Sequence, residues 1–184
     1  MHKRIDYDNG YYEGEVNFFG KRHGYGEYVW NDGTWYKGEW RNGDMHGQGK
    51  YCYDDYETYE GEFYHDERHG YGVYHWASGN WYEGDWVMGT RTGKGIYHWA
   101  DGDYYEGQFL EGDFHGQGRE VHMNGERWVG TYRHDKLVHG IHYRKDGCSY
   151  EGDFVDGYYD GRGRWTDEDG NVSYHTWRMG KCID

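Results

Sequence analysis

From Tyr12 onward, polar and apolar positions alternate in short runs. Tyr12-Glu13-Gly14-Glu15-Val16 sets the form. Tyr36-Lys37-Gly38-Glu39-Trp40, Tyr59-Glu60-Gly61-Glu62-Phe63, Tyr82-Glu83-Gly84-Asp85-Trp86 and Tyr105-Glu106-Gly107-Gln108-Phe109 repeat it, followed by Trp128-Val129-Gly130-Thr131-Tyr132 and Tyr150-Glu151-Gly152-Asp153-Phe154. Rings recur at every second or fourth position with acids between them, which predicts a strand with one aromatic and one acidic face. About ten residues on, a second signal opens another alternating run: His23-Gly24-Tyr25-Gly26, His46-Gly47-Gln48-Gly49, His69-Gly70-Tyr71-Gly72 and His115-Gly116-Gln117-Gly118, with looser versions at Thr92, His139 and Asp160. A third signal, Asp32-Gly33 and its counterparts Ser78-Gly79, Asp101-Gly102, Asn124-Gly125, Asp146-Gly147 and Asp169-Gly170, closes the unit. There a tight turn with two positive-φ residues is predicted. Each unit therefore reads as a β-hairpin, and successive hairpins as an antiparallel meander.

The units run 12–35, 36–58, 59–81, 82–104, 105–127, 128–149 and 150–172, with partial units at 1–11 and 173–184. One hairpin is unstable alone, so neighbours must stack their rings into a shared core. The expectation is a single array over 1–184: all-β, elongated, a twisted single-layer antiparallel β-meander. The sixth unit is the outlier, with Trp128 for Tyr and no second glycine after His139-Gly140.

Composition agrees with this reading once position is considered. The 184 residues include 33 Gly, 23 Tyr, 10 Trp, two Leu, four Ile and no Pro, with a net charge of −14. Aliphatic residues are too few for a conventional core, and the charge alone would suggest disorder. Nearly every glycine, however, occupies a repeat position, and Tyr and Trp bury more area than any aliphatic residue. The acidic balance argues against nucleic acid and against anionic lipid. Cys52, Cys148 and Cys182 are odd in number and far apart, which predicts free thiols. No apolar run is long enough for a membrane helix, and the first eight residues carry no secretory pattern.

These motifs resemble the MORN repeat (membrane occupation and recognition nexus), in which Tyr-x-Gly-x-Trp/Phe, His-Gly-x-Gly and Asp-Gly recur over a similar length. The resemblance implies a β-meander. It implies a role in scaffolding, in binding a partner helix in an aromatic groove, or in binding phosphoinositides. No appended catalytic domain accompanies the repeats, so the enzymatic members of the family are not implied.

No catalytic constellation, cofactor fingerprint or metal site is expected. The repeated His23, His46, His69, His115 and His139 read as turn residues that hydrogen-bond the backbone. His75 and His98 lie two strands apart, about 10 Å, too far to share a zinc ion. The chemistry is expected instead on the aromatic face, because a single-layer sheet has no second layer to cover it. The candidate partner-binding residues are Tyr36, Trp40, Tyr59, Phe63, Tyr82, Trp86, Tyr105, Phe109, Trp128, Tyr132, Tyr150 and Phe154. The expected function is a non-enzymatic scaffold or adaptor that binds a helical, basic segment of a partner protein in this groove, between acidic rims. The alternatives are a peripheral membrane module for phosphoinositides, opposed by charge, and a carbohydrate-binding aromatic repeat. Self-association through the two edge strands is a further expectation. The expected location is cytoplasmic, with cytoskeletal or membrane association.

Overall fold

The residues at the chain reversals decide how the strands connect. The computed structural model describes residues 1–184 and contains strands and no helix. The strands are β1 (His2–Tyr7), β2 (Gly10–Val16), β3 (Arg22–Trp30), β4 (Trp35–Arg41), β5 (Asp44–Cys52), β6 (Thr58–Tyr64), β7 (Glu67–His75), β8 (Trp81–Val87) and β9 (Thr90–His98). They continue with β10 (Tyr104–Leu110), β11 (Asp113–Val121), β12 (Arg127–Arg133), β13 (Lys136–Tyr143), β14 (Ser149–Val155), β15 (Tyr158–Thr166), β16 (Val172–Arg178) and β17 (Lys181–Cys182). The residues group into two compact units, Met1–Arg91 and Thr92–Asp184, divided two residues into β9.

In the first unit each strand from β1 to β8 pairs antiparallel with the next. In the second, β9 to β17 do the same. Each unit is thus one antiparallel meander, and every regular element within it belongs to the sheet. The sixth repeat, irregular in sequence, still forms the hairpin β12–β13.

Two kinds of turn alternate, and the tight geometry expected at the Asp-Gly closures is not found there. The turns with two positive-φ residues lie inside the repeats: Asn42 (φ 56°) and Gly43 (φ 111°) join β4 to β5, and His65 (49°) and Asp66 (67°) join β6 to β7. These are two-residue hairpins whose twist matches that of the strands. The Asp-Gly closures are longer loops. Trp30 N–H donates to Thr34 O at 2.9 Å, Gly33 N–H donates to Trp30 O at 3.0 Å, and Gly33 alone has positive φ. The Asp32 side chain holds this loop by accepting the Thr34 N–H at 2.9 Å, an Asx turn that takes the place of a second left-handed residue.

The register also has a fixed irregularity. A β-bulge follows the central glycine of the first strand in most hairpins, for example between Gly38 and Trp40. The Glu39 carboxylate accepts the Gln48 N–H across it at 3.0 Å. Glu15 and Glu62 make the same contact with Tyr25 and Tyr71. In the fifth repeat neutral Gln108 does so with Gln117 at 2.9 Å. An acceptor is needed at this position, and a charge is not.

Candidate functional site: the aromatic face of the sheet

Cross-strand register lines up one residue per strand on the aromatic face. In the first unit the line reads Ile5, Tyr12, Tyr28, Tyr36, Tyr51, Tyr59, Tyr74, Tyr82. In the second it reads Tyr97, Tyr105, Glu120, Trp128, His142, Tyr150, Trp165, Ser173.

The first tyrosine of each repeat does not stand up from the sheet. Its ring lies over two glycines paired across neighbouring strands. A Cβ on Gly72 would come within 2.6 Å of Tyr59 Cε2, so only hydrogen fits there. The Tyr59 hydroxyl donates to the Glu62 carbonyl of its own strand at 2.9 Å, and the equivalent bonds recur from Tyr12, Tyr36, Tyr82, Tyr105 and Tyr150. Edge-on rings wall it in: Phe63 at 5.0 Å from the same repeat and Trp86 at 5.5 Å from the next. The Trp40 and Trp86 indole N–H groups donate to Gly26 O and Gly72 O, both at 3.1 Å. Burial pushes the phenol of Tyr12 up to about 12 and raises those of Tyr36, Tyr59, Tyr82 and Tyr105 further.

This geometry changes the status of the residues expected to bind a partner. Tyr36, Trp40, Tyr59, Phe63, Tyr82, Trp86, Tyr105, Phe109, Tyr132, Tyr150 and Phe154 are at most 4% exposed. Trp128 is half-buried and lies under the His142 ring at 3.5 Å. As the chain stands, eleven of the twelve form the core and present almost no surface. The glycines let the rings lie flat, and flat rings cover one another.

The surface of this face comes from a second line of rings, two residues along the return strands. Trp30 lies 4.5 Å from Tyr28 and 5.3 Å from Tyr51, and Tyr51 lies 4.3 Å from Tyr53. Tyr53 continues to Tyr74 at 5.7 Å, and Tyr74 to Trp76 at 4.7 Å. Trp30 and Tyr51 are half-buried, and Tyr53 is 37% exposed. The Tyr28-Val29-Trp30, Tyr51-Cys52-Tyr53 and Tyr74-His75-Trp76 alternations carried this signal in the sequence.

The charges differ from expectation as well. The acids between the rings lie on the other face, where they form pairs such as Lys50–Glu60 at 3.3 Å and Arg119–Glu106 at 2.6 Å, so they do not rim the rings. The charged groups among the rings of the first unit are arginines and the Glu57 carboxylate, which accepts the Tyr74 hydroxyl. The Arg22 guanidinium sits 4.3 Å from the Trp40 ring, and Arg68 sits 4.6 Å from Trp86 and 4.8 Å from Tyr74. In the second unit the ring line is broken by Glu120 and His142, flanking Trp128. A cleft of about 410 Å³ opens there, walled by Trp128, Tyr132, Leu137 and Phe154, with Glu120 and His122 at its edge. His122 Nε2 lies 3.1 Å from Glu120, and its Nδ1 lies 2.5 Å from Asp103. Burial holds the Glu120 carboxyl above the usual carboxylate range and lowers His142 to about 4.

The repeated histidines depart from their expected role. His23 Nδ1 accepts the Asn42 N–H at 3.4 Å, but Nδ1 of His46, His69 and His115 is buried without a hydrogen-bond partner. His139 instead pairs with Asp153 at 2.7 Å. At the end of the second unit, ligand atoms of His175, Cys182 and Asp184 lie within 4.8 Å of one another, a grouping the sequence spacing did not suggest. The three cysteines are free thiols.

A family model described as MORN repeat matches residues 12–35, 36–58, 59–81, 82–104, 105–127 and 150–172. It passes over 128–149, the repeat with the Trp128 and glycine departures. No curated protein matches the sequence. Among solved structures, the fold is similar to the SAS-4 (dCPAP) TCP domain in complex with a Proline Rich Motif of Ana2 (dSTIL) of Drosophila Melanogaster. That alignment has a TM-score of 0.53 and 13% identity, covering 96% of this chain and 90% of that one. The TCP10 domain of Danio rerio CPAP (E1021V mutant) aligns at 15% identity over 93% and 96% of the two chains, with a TM-score of 0.23 that supports no comparison of folds.

Proposed function

The chain belongs to the MORN repeat family, and from that premise we propose that it is a non-enzymatic binding module that docks a segment of a partner protein on the outer ring line of the aromatic face. The observation that carries this reading is the run Trp30–Tyr51–Tyr53, closely packed and half open on a sheet face that no second layer within its unit covers. Ordered aromatic surface of this kind supplies contact area at little entropic cost, as in peptide-recognition grooves. The segment we favour is an amphipathic helix with basic residues. A proline-rich extended segment is the second reading, supported by the aromatic lining and by what the SAS-4 TCP domain binds. We place this activity in the cytoplasm, in keeping with the free thiols.

Selection of a displayed random-peptide library against the full chain tests the proposal. Enriched peptides should lose affinity on the order of tenfold or more for a Trp30→Ser, Tyr51→Ser, Tyr53→Ser variant with an unchanged circular dichroism spectrum. Peptides of helical pattern with Lys and Arg support the favoured form, and Pro-x-x-Pro peptides the second. Peptides that bind the variant as well as the parent would refute the site.

A further inference from the structure

We propose that the cleft beside Trp128, within the second unit, receives an arginine side chain of a partner protein, with the guanidinium lying against the indole and held by the Glu120 carboxylate. This rests on the reading of the aromatic face as a docking surface and adds the chemistry of one contact.

The argument comes from what the repeats do elsewhere. In the first and third repeats, Arg22 and Arg68 stand opposite Val16 and Phe63 in register and lay their guanidinium groups on the ring line, over Tyr28 and Tyr74 and over Trp40 and Trp86. In the fifth repeat the same register position is Phe114, opposite Phe109, and in the sixth it is Leu137, opposite Tyr132. Of the other repeats without this arginine, the second and seventh have Met45 and Tyr159 in its place and keep a Tyr or Trp on the ring line, Tyr51 and Trp165. The position held by Tyr28 and Tyr74 becomes Glu120 in the fifth repeat. The outcome is an aromatic cleft with a carboxylate at its edge and no internal guanidinium to occupy it.

The surrounding charges leave a place for a cation. Asp156 is taken by Lys136, with Nζ 2.6 Å from Oδ1. Asp135 accepts the Phe114 N–H at 2.8 Å and also lines the cleft. Asp103 lies behind His122 and fixes its Nδ1 side, leaving Nε2 towards Glu120. In the lining, the acids Glu120, Asp135 and Asp156 outnumber the basic side chains Lys136 and His122. A planar guanidinium stacks on an indole and bonds a carboxylate at the same time, which a lysine ammonium does less well. A volume of about 410 Å³ has room for such a side chain.

The test uses the full chain and N-acetyl-arginine amide, followed through the indole N–H resonances, with Trp128 assigned from a Trp128→Phe variant. Saturable shifts at Trp128 are expected. They should be lost with N-acetyl-citrulline amide, the neutral analogue, and weakened about tenfold by Glu120→Gln, whose spectrum should otherwise match the parent. Equal shifts with citrulline, equal binding by the lysine analogue, unchanged affinity in Glu120→Gln, or shifts that spare Trp128 would each overturn the assignment. The two readings fail separately. Arginine binding at Trp128 with selected peptides indifferent to Trp30, Tyr51 and Tyr53 sinks only the docking surface. Peptides that need those rings, with no arginine-amide shifts at Trp128, sink only the cleft.

Discussion

A single hydrogen atom decides whether each tyrosine can lie flat. At Gly72 a methyl group would overlap the Tyr59 ring, whereas at Gly33, with φ 93°, nothing lies within 4 Å and only backbone strain opposes it. Gly72→Ala should therefore cost about 3 kcal/mol or more through overpacking, and Gly33→Ala only about 1 kcal/mol, in urea unfolding of the full chain. Equal losses would mean that the ring does not depend on the glycine pair. His142 gives a second prediction. Its folded value of about 4 lies below the ordinary imidazole value of about 6.5, so its contribution is complete above about 6.5 and is lost as pH falls towards 4. His142→Phe should remove on the order of 2–3 kcal/mol of the pH dependence in that window. A parallel loss in parent and variant would assign the dependence to other groups. Glu120, raised by burial, works in the opposite direction, since protonation at low pH relieves it.

At the scale of the strand and turn, the bulge shows what pattern reading captures and what it misses. The period of two, the hairpins and the aromatic row were legible, because alternation and spacing are properties of the chain itself. The work of the odd-position acids was not. Glu39 looks like solvating charge until its contact with the Gln48 N–H is seen, and the natural Gln108 makes the same bond. Glu39→Gln should thus be close to neutral, while Glu39→Ala should cost about 1 kcal/mol, measured by the same unfolding assay. An equal cost for both would make the charge the important feature. The turns were misassigned because Asp-Gly reads as a two-residue reversal, while the Asx bond from Asp32 to Thr34 stabilises a longer loop. The burial of eleven of the twelve candidate rings was not legible for a related reason. Alternation puts Tyr36, Trp40 and Phe63 on one face, but only the geometry over glycine tells flat rings from open ones.

Across the whole chain, couplings should follow ring contacts. Tyr36 and Phe63 meet edge to face at 5.0 Å, whereas Tyr36 and Tyr105 lie in different units. Tyr36→Ala and Phe63→Ala should be non-additive, and Tyr36→Ala with Tyr105→Ala additive within about 0.5 kcal/mol. A large coupling in the second pair would show that the units unfold as one. The distribution of the 23 tyrosines has a further consequence, for covalent chemistry. Interior phenols such as Tyr12 are hard to ionise and sealed beneath neighbours, while Tyr56, Tyr158 and Tyr174 stand open to solvent. A phenolate-directed nitrating reagent should label the open group quickly and the interior group only as each repeat opens. The folded chain thereby carries one built-in label site for opening in nearly every repeat, readable by mass without adding a probe.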